Sequence, residues 1–141
     1  MKVFQHHIYE YRKGLRSLIL HTLPAIYQEK VEALLTRENI SYLIYPLGRT
    51  RINLFFGAGK CVEVVASIGK SSLSDYTPEE DFILGTMLGY SRLQQCTRYL
   101  VRKDQRLVQK AEDQTGPLLR NIKEGTSSGV VVPFPGEARA Q

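Results

Sequence analysis

The residues best placed to do chemistry together are His6, His7 and Glu10, followed later by His21. On a helix, His6 and Glu10 share a face at i and i+4, and His7 and Glu10 are close at i and i+3, so two donors could reach one ion. A catalytic metal would still need a third protein ligand. The two-histidine spacing of a metalloprotease helix is also absent. The plainer expectation is a partly exposed helix face on which one histidine pairs with Glu10. No metal site is assigned, and a metal-dependent enzyme using His6, His7 and Glu10 stands as the alternative to the reading reached below.

Gly57-Ala58-Gly59-Lys60, after a strand and before a helix, invites comparison with a phosphate-binding loop. The first glycine that such a loop requires is Leu54, and Cys61 stands where a hydroxyl for magnesium belongs. Without them the stretch reads as a tight strand-to-helix turn. Gly85 and Gly89 lie four apart in a helical pattern, where each costs about 1 kcal/mol relative to alanine. Their missing side chains would let another backbone approach, from the same chain or from a second subunit. Arg98, Arg102 and Arg106, with Lys103 beside them, form a basic stripe at helical spacing. Eight tyrosines and this stripe raise single-stranded RNA as a second alternative. The tyrosines, however, are scattered through apparent core elements without a nucleic-acid module signature, so nucleic acid is not the expected partner.

These residues are positioned by an ordinary set of elements. Phe4, Ile8 and Tyr11 outline a short helix that stops at Gly14. Leu15 to His21 is read as a strand, and Pro24 to Glu38 as a helix ended by Asn39. Ser41 to Leu47 and Arg51 to Gly57 form a hairpin around Gly48-Arg49-Thr50, with Pro46 requiring an edge position or a bulge. The run K-C-V-E-V-V-A-S-I then reads as a short helix to Gly69, with its β-branched residues leaving a strand as the alternative. Thr77 to Lys103 reads as one long helix, with Thr77 as N-cap, Pro78 at the first position and Glu80 completing a capping box.

Along that helix Phe82, Thr86, Gly89, Leu93, Cys96 and Leu100 form a stripe expected to face the core. Residues 82–90 are apolar nearly all round, which calls for cover on more than one side. Gly85, Met87, Leu88 and Gly89 are therefore expected in or beside a subunit interface. The arginine stripe, with Lys103, lies opposite the core stripe and is expected at the surface. The element order is α-β-α-β-β-α-α, an α+β fold with a small three-stranded sheet and about five helices. Residues 1–113 form the globular domain, and 114–141 a short helix and a flexible C-terminal tail.

Hydrophobic residues at 43% and charged residues at 23% fit a soluble globular chain. The chain has no apolar run long enough for a membrane span and no signal-peptide pattern, which points to the cytoplasm. Cys61 and Cys96 lie on separate elements without metal-ligand spacing and are expected to be reduced and half-buried. The net charge of +5 favours an acidic partner. No motif for a cofactor is present.

The chain resembles a small uncharacterised bacterial family, a domain of unknown function seen mainly in anaerobes. The resemblance covers residues 1–101. It rests on H-H-I-Y-E-Y-R-K-G-L-R at 6–16, L-H-T at 20–22, I-N-L-F-F-G at 52–57, E-E-D-F-I-L-G-T-M-L-G-Y at 79–90 and Q-C-T-R-Y at 95–99. It implies a homodimer of three strands and about five helices, no established activity, and an association with flavodoxin genes. No catalytic residue carries over. Together with the basic stripe, it leads to the expectation of a non-catalytic accessory or protein-binding module, a regulator of an acidic flavodoxin-type partner bound through Arg98, Arg102, Lys103 and Arg106.

Overall fold

A computed structural model of the chain describes residues 1–115. Strands β1 (Leu18–Pro24), β2 (Ser41–Leu47) and β3 (Arg51–Gly57) form one antiparallel sheet in the order β1-β3-β2. Successive side chains of a strand point to opposite faces, and here both faces are covered. Ile52, Leu54 and Phe56 of β3 join Ile19 and Leu23 of β1 in one core, while Phe55 and Leu18 belong to the other. The near-continuous apolar run of β3 is thus that of a central strand buried on both sides. β2, which carries Pro46, is an edge strand, where a residue without an N–H is tolerated.

The first face is closed by α1 (Lys2–Arg12), through Phe4 and Ile8, and by α2 (Gln28–Arg37), through Val31 and Leu35. The second is closed by α3 (Gly59–Ile68), through Val62 and Val65, and by α4 (Pro78–Met87), through Leu84. Single 3-10 turns at Ala25–Tyr27 and Leu73–Asp75 lead into α2 and towards α4. The last described element, α5 (Arg92–Thr115), contributes no residue to either core.

The α+β class, the three strands and the hairpin limits of β2 and β3 agree with the sequence reading. The first strand lies three residues later than expected, because Leu15, 70% exposed, belongs to the crossing from α1 to the sheet. The turn at Gly57 is also explained. Its φ of 145° is one that side chains rarely adopt, and a Cβ there would lie 2.3 Å from the Ser17 carbonyl oxygen. Ala58 donates its N–H to that same oxygen. Lys60 points to solvent and pairs with Glu63 at 3.3 Å. The short helix and the tail expected beyond α5 lie outside the described residues.

The segment expected as one helix over 77–103 is two. α4 ends at Met87, and Gly89 takes a φ of 82°. The Gly89 N–H donates to the Thr86 carbonyl at 3.1 Å and the Tyr90 N–H to the Gly85 carbonyl at 3.2 Å, which together make a Schellman closure. The same pair of bonds ends α1 at Gly14 and α2 at Asn39. α5 therefore turns back along α4 as an antiparallel hairpin. A Cβ on Gly89 would meet nothing within 4 Å, so its glycine serves the left-handed turn rather than a close approach. Gly85 is the close-approach site: a Cβ there would lie 2.0 Å from Gln95 Oε1 on α5.

In urea unfolding, Gly85→Ala should destabilise the protein by about 1–3 kcal/mol through overpacking, and Gly89→Ala by about 1 kcal/mol through strain. Combining Gly85→Ala with Gln95→Ala should recover most of the first loss. Fully additive losses would show that the Gly85–Gln95 contact does not hold the hairpin.

Candidate functional site

The α4–α5 hairpin begins with a capping box. The Glu80 N–H donates to Thr77 Oγ1 at 3.1 Å, and Glu80 Oε1 accepts from the Thr77 N–H at 2.9 Å. That box and the Lys70 ammonium hold the Glu80 carboxyl below the usual carboxylate range, with Lys70 the larger cause. One residue on, Asp81 is only 3% exposed. A buried carboxylate must be paired, and two arginines of α5 do this. Arg98 Nε donates to Asp81 Oδ2 at 2.8 Å, and Arg102 Nη1 lies 2.9 Å from Oδ1. Arg102 also donates to the Tyr76 carbonyl at 3.2 Å.

Further along the seam Lys103 and Tyr99 donate to Glu79, and the Phe82 and Tyr99 rings lie 5.7 Å apart. The Lys103 hydrogen bond keeps the Glu79 carboxyl below its ordinary range, and Glu79 in turn raises Lys103.

This pairing turns α5 inside out. Its buried residues are Gln95, 1% exposed, and Arg98, 8% exposed. Leu93, Leu100 and Leu107 are 81%, 65% and 58% exposed. The stripe expected to face the core thus faces outward along α5, and Cys96 is exposed with it rather than half-buried. The arginine face expected at the surface is turned inward at Arg98 and largely at Arg102. The reason is Asp81, which lies 17 residues before Arg98 and which periodicity within α5 does not reveal. Of the residues expected to bind a partner, Arg106 is exposed and Lys103 is half-exposed beside Glu79.

The residues expected at a subunit interface are separated. Leu88 is buried in the chain's own core, Gly85 is covered by Gln95, Met87 packs partly against the core, and Gly89 is exposed at the turn. Between α4 and α5 lies a groove of about 460 Å³ lined by Glu79, Phe82, Ile83, Cys96, Tyr99 and Leu100. Its floor is apolar, and one end carries the Glu79–Lys103 pair. Sequence reasoning missed Asp81, Gln95 and this groove. The detectable signal was Gly89-Tyr90-Ser91, a glycine stop followed by an apolar residue and a capping type.

The histidines gather on the other side of the sheet. His6 Nε2 lies 3.1 Å and His7 Nδ1 3.8 Å from Glu10 Oε1, Arg16 approaches Glu10 at 3.7 Å, and the His7 and His21 rings are 5.1 Å apart. Among the described residues, no group of three or more histidine, cysteine or acidic side chains is placed to hold a metal ion. Burial, assisted by His7 and the N-terminus, pushes His21 down to about 4, and burial with Arg16 lowers His7. Burial also pushes Tyr76 up to about 12, and its hydroxyl has no hydrogen-bond partner. No helix among the described residues is long and apolar enough to cross a membrane.

Two outcomes follow. Asp81→Asn removes the charge that pairs Arg98 and should cost about 3 kcal/mol or more, measured by chemical unfolding; a loss below about 1 kcal/mol would mean that the clamp is not needed to hold α5. The second concerns acid. Below pH 6.5 the unfolded chain protonates His21, whereas the folded chain resists until about 4, so this contribution is present above 6.5 and is lost as pH falls through that window. After allowance for partial exposure the loss is about 2 kcal/mol. His21→Gln should flatten the stability profile between those limits, and an unchanged profile would assign the acid sensitivity elsewhere.

No curated protein matches the chain. A family model described as a protein of unknown function, DUF2023, matches residues 2–102. The match takes in the sheet, both cores and the Asp81 clamp as far as Arg102, and on that extent the chain belongs to the DUF2023 family.

Proposed function

We propose that the protein is a non-catalytic accessory module that works as a homodimer and binds an acidic protein, for which the family resemblance suggests a flavodoxin-type redox carrier. The observation that carries this reading is the inversion of α5. A helix held to its own chain by polar residues, with leucines and cations on its open face, is built for contact with another molecule. Lys103 and Arg106 are the cations of the expected site that still reach solvent. Acidic carriers meet basic surfaces through weak, salt-sensitive contacts. At the turn end, Met87, the open backbone of Gly89 and exposed Leu93 offer the surface for a second subunit. The histidine cluster supports an enzyme less well, since among the described residues His6, His7 and Glu10 are not placed to hold one metal ion together.

Calorimetric titration with a flavodoxin at low and moderate salt tests the partner. Heat at low salt that fades at moderate salt, and weaker binding by Lys103→Ala with Arg106→Ala, are the expected results. No heat and no co-elution at low salt would dispose of the reading. Arg98→Ala is unsuitable as a probe, because it would strip a buried carboxylate of one of its two partners. Light scattering should give a dimer for the full chain and a monomer for Leu93→Glu; a monomeric unmodified chain at micromolar concentration would remove the homodimer.

A further inference from the structure

We infer that the groove between α4 and α5 is a docking site for an acidic amphipathic helix; this rests on reading the protein as a protein-binding module and names the form of the bound element. Leu93, Leu100 and Leu107 recur every seven residues along α5 with Cys96 between the first two, which is the spacing of one helix face. At about 100° per residue, Arg92, Lys103, Arg106 and Lys110 fall along one edge of that face. Asp104 and Glu112 fall along the other. Cys96 and Tyr99 line the groove together with α4 residues, so the basic edge is the one on the α4 side.

The site is thus an apolar groove between the two helices, continued by the exposed face of α5 from Cys96 to Leu107, about 17 Å along the helix, with a mainly cationic rim. Ridges of a helix fill grooves between helices, and helix-in-groove recognition reads apolar anchors at i, i+3 or i+4 and i+7.

The charge pattern selects among occupants. A basic helix would meet Arg92, Arg106 and Lys110, while Lys103 is paired with Glu79. A second copy of α5 fits poorly, because antiparallel packing would set the basic edge against itself and parallel packing would stack Lys103 and Lys110 on their own copies. A lipid surface is flat, and the floor formed by Phe82 and Cys96 lies between two helices. An acidic flank on an incoming helix satisfies the rim, with leucine-like anchors over Ile83, Cys96 and Leu100.

Two labelled synthetic peptides of about 15 residues test this, one with leucines at helical spacing and glutamates on one flank, the other with lysines in place of the glutamates. In anisotropy titrations with the full chain at low salt, the acidic peptide should bind and the lysine peptide should not. Leu100→Glu and, separately, Ile83→Glu should weaken binding by at least roughly tenfold, and Arg106→Glu with Lys110→Glu by roughly tenfold, with circular dichroism unchanged. All four residues are exposed, so the fold does not rely on them. Equal binding of the lysine peptide, or binding indifferent to both groove variants, would overturn the inference. A dimer that becomes monomer in Leu100→Glu would assign the stripe to a second copy and overturn it as well. A Leu100→Glu variant that still binds flavodoxin would reject the groove while sparing the proposed partner, whereas peptide binding without flavodoxin binding would reject the partner and keep the groove.

Discussion

The buried carboxylate of Asp81 is the constraint on which the arrangement of the C-terminal half depends. A charge removed from water is tolerated only when it is paired and hydrogen-bonded. Asp81 lies in the first turn of α4, where the helix dipole favours a negative group. That position supplies only part of what it needs. The remainder comes from Arg98 and Arg102, four residues apart on one face of α5. Meeting both at once requires α5 to run antiparallel to α4 with its arginine face inward. The leucine face must then point out, and the groove is what remains between two helices joined through polar residues.

Such a clamp gives direction more than stability. Replacing buried ion pairs by well-packed apolar residues is often neutral or stabilising. Gln95 sits against Gly85 with both amide atoms unpartnered among the described residues, a net cost rather than a gain. α4 is anchored independently, by Leu84 in the core with Leu88 just beyond its end. The hairpin is therefore a firmly seated helix carrying a second one whose orientation is specified by charge and by the left-handed turn at Gly89. Elements of this kind belong to the less stable part of a fold, where binding surfaces are commonly found.

What could be read from the sequence follows from how local each cause is. β2 and β3 were legible because branched and aromatic runs flank a glycine turn, and Pro46 correctly marked an edge. The capping box of α4 was legible because all its parts lie within four residues. Leu15 to His21 was less so, since leucine favours neither state strongly, and the strand lies at Leu18–Pro24 instead. The stripe Phe82–Leu93–Leu100 was found as a face but assigned to the wrong side: periodicity says which residues share a face, not whether that face is buried. Its burial was decided by Asp81, whose partners are distant in the chain. Gly89 differed from Gly14 and Asn39, both read as stops, in that the helical apolar spacing continues in phase across it, and that spacing masked the same closing geometry.

The overhang of α5 extends the same reasoning. α4 begins at Pro78, so its seam with α5 ends near Lys103, yet α5 continues to Thr115. Residues 104–111 are all exposed, and they include Leu107 and Val108. A helical stretch of this length gains little from propensity alone in water, because nucleation is costly and tertiary packing normally supplies most of the stability. Here it is extended from an already formed helix, which removes the nucleation cost but not the exposure of its apolar face. Arg106 and Lys110 continue the basic edge past the end of the seam, in phase with Arg92 and Lys103. Charge and apolar pattern therefore keep one register along the whole of α5. A register that persists beyond the seam with α4 is not set by that seam alone, and the surface it builds is longer than the groove that begins it.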